Sequence, residues 1–171
     1  AVRGLLKILE DPVASVRATA ATTLGKIGGE ALRMARPVLA KMLKDKEEIV
    51  RGASVEAFSL VASPEEVISK ILPLVKDSSS NVRARVALAI GRSISSSPDL
   101  PPQEVYSKLL SALLDFSKDQ ESEVRMQAAL ALGRVAITDP SVSETLARKL
   151  ETLLQDSASN VSEEVTRALW N

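Results

Sequence analysis

Residues 11–17 read DPVASVR, and the Asp and Val-Arg return at the same spacing in DKEEIVR (45–51), DSSSNVR (77–83) and DQESEVR (119–125). A fifth copy, DSASNVS (156–162), keeps Asp and Val but ends in Ser. Arg17, Arg51, Arg83, Arg125 and then Ser162 follow one another at intervals of 34, 32, 42 and 37 residues. Asp11, Asp45, Asp77, Asp119 and Asp156 each stand six residues earlier. Self-similarity at this period is the mark of one supersecondary unit stacked several times.

Both flanks of each copy have helical period. Before each Asp stands an apolar segment, LLKILE, VLAKMLK, ILPLVK, LLSALLDFSK or LETLLQ. After each Val comes RATAATTLGKI, RGASVEAFSLV, RARVALAIGRS, RMQAALALGRV or SEEVTRALWN. Counting the Arg as zero, offsets −1, +3, +7 and +10 are apolar nearly throughout. They are Val82, Val86, Ile90 and Ser93 in the third copy, and Val124, Ala128, Leu132 and Val135 in the fourth. On a helix these offsets fall within about 80° of one another, one narrow buried stripe. Each unit is therefore a helix A, a short turn carrying the Asp, and a helix B. The units run over about 1–29, 30–62, 63–97, 98–137 and 138–171 of a single array.

The boundaries agree. SPEE (63–66) offers an N-cap Ser, a first-turn Pro and a capping-box Glu to the third helix A, and SVSE (141–144) is expected to cap the fifth. Gly28 and Gly29 end the first helix B. Pro37 and Pro73 fall inside helix A patterns, where kinks are expected. The irregular SISSSPDLPPQE (93–104) absorbs most of the longest interval. Phosphorylation of Ser95, Ser96 or Ser97 would add charge there, though a tolerated insertion is the plainer reading.

Composition excludes several chemistries. The 22 basic and 22 acidic residues cancel, so no global field draws nucleic acid or an anionic membrane. With no Cys and no His, thiol nucleophiles, zinc-thiolate sites, Ser-His-Asp triads and His-containing metal sites are out of reach. No cofactor, metal or catalytic residue is expected. Acid pairs such as Glu47-Glu48, Glu65-Glu66 and Glu163-Glu164 sit at helix starts, where the dipole favours them. No apolar run approaches the roughly 18 residues of a membrane span and no signal peptide opens the chain, so a cytoplasmic protein is expected.

The helix pairs, with Asp, Val-Arg six residues on and then an AxxALG-like segment, resemble HEAT repeats. LLKILEDPVASVRATAATTLGKIG (5–28) and LLDFSKDQESEVRMQAALALGRVA (113–136) carry the likeness best, while the second copy has FSLV where LG stands elsewhere. The resemblance implies an all-α fold, a right-handed α-solenoid of about five antiparallel helix pairs. It also implies a structural ladder in which Arg17, Arg51, Arg83 and Arg125 reach the Asp of the neighbouring turn. Helical phase agrees, since offset zero lies about 60° from the stripe's centre, and a planar guanidinium suits a carboxylate.

If the array binds partners, it does so on exposed positions. Offsets +2, +5 and +9 point away from the stripe and line up along successive B helices, on the face that is concave in HEAT-like solenoids. The middle of that face joins Leu60, Leu88 and Leu130 to Arg85, Arg92, Gln127 and Arg134. An apolar strip rimmed by Arg suits an amphipathic helix or an acidic-hydrophobic segment. The expected function is a non-catalytic scaffold holding protein partners there. The alternatives that the resemblance admits are a bilin lyase-like HEAT enzyme subunit, favoured by the first unit ending in LGKIGG, and a nucleic-acid-associated HEAT subunit, disfavoured by the neutral charge. The pattern breaks off at Trp170 and Asn171, where further repeats or another chain are expected to cover the last helix.

Overall fold

The computed structural model describes residues 2–96 and 100–170, without the side chains of 2, 3, 140, 164 and 168–170. The helices are α1 (Val2–Ile8), α2 (Ala14–Ile27), α3 (Gly29–Met42), α4 (Glu48–Ser59), α5, α6 (Ser80–Ser95), α7 (Gln103–Phe116), α8 (Ser122–Thr138), α9 (Pro140–Leu153) and α10 (Ser159–Trp170). Helix α5 opens as the α-turn Pro64–Glu66 and continues as a π segment, Val67–Ile71, and a 3-10 segment, Leu72–Lys76. Odd-numbered helices are the A members of each pair and even-numbered ones the B members. The B helices pack in series, α2 on α4, then α6, α8 and α10, whereas the A helices from α3 on pack against B helices, α3 and α5 mainly on their own partner and α7 and α9 more on the preceding one.

Val82, Val86, Ile90, Val124, Ala128, Leu132 and Val135 are all fully buried. The buried surface is nevertheless wider than one stripe. Helix α4 buries Val50, Gly52, Ala53, Ser54, Val55, Ala57, Phe58 and Ser59. A B helix lies against its A partner and between two other B helices, so most of its circumference is covered. Ala53 stands at the outward offset +2, yet it is buried for this reason. Small residues permit the close approach: a Cβ on Gly91 would stand 2.5 Å from the Ala131 Cβ. Close contact in one layer and looser contact in the other is how a solenoid acquires curvature.

Four joints tie the units together. Arg17 donates through Nε and Nη2 to the two carboxylate oxygens of Asp45, each at 3.0 Å. Arg51 does so to Asp77 at 2.7 and 2.8 Å, Arg83 to Asp119 at 2.8 and 2.9 Å, and Arg125 to Asp156 at 2.6 and 2.8 Å. The third nitrogen, Nη1, donates back to carbonyls of its own turn, as Arg83 does to Asp77 and Ser78. Each Asp also accepts the backbone N–H two residues on, as Asp77 does from Ser79 at 2.9 Å. The Asp thus closes an Asx turn ahead of helix B and does not cap the helix proper. Asp11 makes the same turn through Val13 at 2.8 Å.

Burial pushes the carboxyls of Asp45, Asp77 and Asp119 up, but the Arg and backbone hydrogen bonds outweigh it and leave them below their ordinary value of 3.8. Asp156, held chiefly by Arg125, is lowered too. A depressed folded-state pKa stabilises the fold above the unfolded value and is lost as pH falls through the folded one. The thermal midpoint is therefore expected to drop steeply below about pH 4, and Asp119→Asn should make that drop shallower.

Local sequence explains the remaining irregularities. Ser63 and Glu66 form a reciprocal capping box with Pro64 behind the cap. The N-cap of α9 is Asp139 and not Ser141, because Asp139 accepts from both the N–H and the hydroxyl of Ser141. Pro73 cannot donate, and the ladder widens before it, with the Leu72 N–H reaching back to the Val67 carbonyl. Pro37 does not interrupt α3. Ser93 to Ser95, expected to be irregular, complete the last turn of α6.

Tyr106 on α7 donates to the Asp139 carboxylate at 2.8 Å, joining α7 to the start of α9. Burial, then this bond, raises the Tyr106 phenol well above its ordinary 10.0. A raised folded-state pKa means stability present below pH 10 and lost as pH rises beyond it. Tyr106→Phe should cost about 1–2 kcal/mol, because it leaves a buried carboxylate short of one donor, and denaturant unfolding will measure it.

Candidate partner-binding groove

Helices α4, α6 and α8 enclose a groove of ≈ 330 Å³ on the B-helix face, lined by Glu56, Arg85, Leu88, Arg92, Glu123 and Gln127 among others. Arg85 lies along α4, ion-paired with Glu56, and its Nε donates to Asn81 at 2.9 Å. Gly52 makes this course possible, since a Cβ there would stand 3.1 Å from the Arg85 Cδ. Arg92 donates one bond from Nη1 to the Ser59 hydroxyl, at 3.1 Å.

Gln127 donates through Nε2 to Glu123 at 2.9 Å. A carboxylate only accepts, so the amide orientation is fixed and its oxygen turns inward. That Oε1 is buried and finds no donor among the described residues. An unmade bond of this kind carries a cost in stability.

Arg85, Leu88, Arg92 and Gln127 therefore meet in one groove. Leu60, 45% exposed, lines a smaller adjoining hollow that shares Glu56 and Arg92 with it. Leu130 is half-buried and Arg134 exposed on the same helix as Gln127, and neither lines the groove. Leu88 is also half-buried, so it supplies a floor more than a protruding anchor. Helical phase puts Glu56, at offset +5, on this face, but sequence reasoning counted neither it nor Glu123 among the binding residues. The Glu123 pairing with Gln127 was available as an i,i+4 contact, whereas Glu56 meets Arg85 only across two units. The rim is consequently mixed in charge and not purely basic.

Among the described residues no group of three or more His, Cys, Asp or Glu is placed to hold a metal, and no helix is long and apolar enough to cross a membrane. The Ser95 hydroxyl donates to the Gly91 carbonyl at 2.8 Å. Ser97 and Asn171 lie outside the described residues, as do the side chains of Glu164 and Trp170.

A family model described as HEAT repeats matches residues 2–91 and 68–170. No curated protein matches the sequence significantly. Among solved structures, the complex of CpcE and CpcF of phycocyanin lyase from Nostoc sp. PCC7120 is similar, with a TM-score of 0.76 and 23% identity over 99% of this chain and 98% of that one. A designed armadillo repeat protein in complex with the peptide (KR)4 gives a TM-score of 0.69 and 24% identity over 99% and 80% of the two chains. At these identities the structural likenesses speak for the fold, an α-solenoid of five helix pairs. With the family model covering nearly the whole sequence, the chain belongs to the HEAT-repeat family.

Proposed function

We propose that the chain is a non-catalytic scaffold of the cytoplasm that seats a segment of another protein across α4, α6 and α8. The groove carries this reading: it combines an apolar floor at Leu88 with the guanidiniums of Arg85 and Arg92. An amphipathic segment laying apolar side chains on Leu88 and a carboxylate against Arg92 suits this lining. Repeat-protein neighbours found in complex with a peptide or a second chain support a binding role for the fold. Selection of a displayed peptide library on the native chain tests it. Selected peptides should lose at least tenfold in affinity on Arg92→Glu, the size of one charge-assisted contact. Equal binding by both chains would remove the groove from consideration.

A second reading, a subunit of a bilin lyase-like enzyme, is favoured by the near-complete mutual coverage with the phycocyanin lyase structure. It predicts retention of a linear tetrapyrrole, followed by visible absorbance on the purified chain. The scaffold reading predicts none.

A further inference from the structure

The ladder arginines, and Arg85 in the groove, are each held by a carboxylate of this chain. The cations toward the C-terminal ends of the B helices are not. Offset +9 is Lys26 on α2, Leu60 beside α4, Arg92 on α6 and Arg134 on α8. Among the described residues none of these three cations forms an ion pair, and Arg92 donates to a neutral hydroxyl, that of Ser59. The helix dipole accounts for positive charge at this edge, but not for its want of a counter-charge. Apolar side chains stand exposed beside the cations. Lys26 and Arg92 flank Leu60 in an open hollow of ≈ 130 Å³, lined also by Gly25 and Ala57. Glu56, which borders the hollow, is already paired with Arg85. Ile137, 72% exposed, stands three residues beyond Arg134 and so on the same side of α8.

We propose that this edge is a docking strip for an acidic segment of another protein. The segment runs along the stack from α2 to α8, with carboxylates toward Lys26, Arg92 and Arg134 and aliphatic side chains on Leu60 and Ile137. Through Arg92 the strip rests on the groove reading above, and it extends that reading onto α2 and the end of α8, outside the groove. Charge selects the occupant: a row of cations without counter-charges repels a basic segment and is neutralised by carboxylates. The hollow selects a protein over an anionic membrane, because a protruding side chain fills a recess between Lys26 and Arg92 and a flat bilayer surface does not.

Peptides selected from an unbiased displayed library on the native chain are the probe. They should be rich in Asp and Glu and bind more weakly as salt is raised. Lys26→Glu and Arg134→Glu should each weaken binding about fivefold, since an attraction is lost and a repulsion gained, with the thermal midpoint near the native one. A peptide with one carboxylate changed to Lys should regain binding to one of these two variants while losing it on the native chain, which a structural role for the cations would not produce. If Arg92→Glu weakens binding while Lys26→Glu and Arg134→Glu do not, the groove stands and the strip is overturned. Selected peptides that are basic overturn it as well. Cosedimentation with phosphatidylserine vesicles, abolished by Lys26→Glu with Arg134→Glu, would make the edge a membrane surface. A dimer in sedimentation that the same double change abolishes would make a second copy the occupant. Either result overturns the proposal.

Discussion

Replacing Arg83 by Ala is expected to cost about 3 kcal/mol and to split one unfolding transition into two. Arg83 sits at one of the two inner joints, only 10% exposed, with its carboxylate partner Asp119 13% exposed. Its removal strands Asp119 beside a cavity, which is the costly way to break a shielded pair. It also frees two carbonyls of the preceding turn, at Asp77 and Ser78. A repeat array is held by nearest-neighbour interfaces, so weakening an inner one lets the three units before it and the two after it melt separately. Against a total of roughly 5–15 kcal/mol this is a large share. Arg17→Ala, at the outer joint, should lower the midpoint less and leave the transition single. Denaturation followed by circular dichroism distinguishes the two.

Gly91→Ala should destabilise by about 2 kcal/mol even though Ala is the better helix former by about 1 kcal/mol. The new Cβ would meet the Ala131 Cβ at 2.5 Å and its Cα at 2.9 Å, and backbone cannot swing aside as a long side chain can. Helices α6 and α8 would have to separate, straining the Arg83–Asp119 joint beside them. Gly25 provides the contrast. It holds the same position in the first unit, but its nearest neighbours, on Ala57 and Leu60, stand at 3.6 Å. Gly25→Ala is therefore expected to be neutral or to stabilise by up to about 1 kcal/mol. Opposite signs at equivalent glycines would show that the spacing of the B layer is set locally, unit by unit.

The recurrence of Asp and Val-Arg made the architecture legible because a joint must repeat its chemistry at every step. Residues between the Asp and the Val fill the turn and vary freely. The arrangement around the groove was legible in part: Arg85, Leu88, Arg92 and Gln127 share a face by helical phase alone. Glu56 shares that face too, at offset +5, but its pairing with Arg85 was not legible, since it depends on how far one unit is rotated against the next. Nor was the burial of Ala53, for phase along one helix does not reveal how many neighbours surround it. The Tyr106–Asp139 bond links residues 33 apart on different units, and nothing in either local pattern announces it. Pro37 and Pro73 read alike in sequence, yet only the second is accompanied by π and 3-10 turns.

On the proposed reading, two arginines on α6, nine residues apart, have opposite duties: Arg83 holds the stack and Arg92 would face the partner. The most direct measurement is the affinity of a library-selected peptide for Arg83→Ala and Arg92→Glu chains, each read beside its thermal midpoint. The predicted result is a crossed pattern. Arg83→Ala melts early but, while folded, binds like the native chain, and Arg92→Glu melts near the native midpoint but binds at least tenfold more weakly. If Arg92→Glu binds as the native chain does, or if affinity falls only in step with the midpoint in both variants, the division between joint and groove is contradicted.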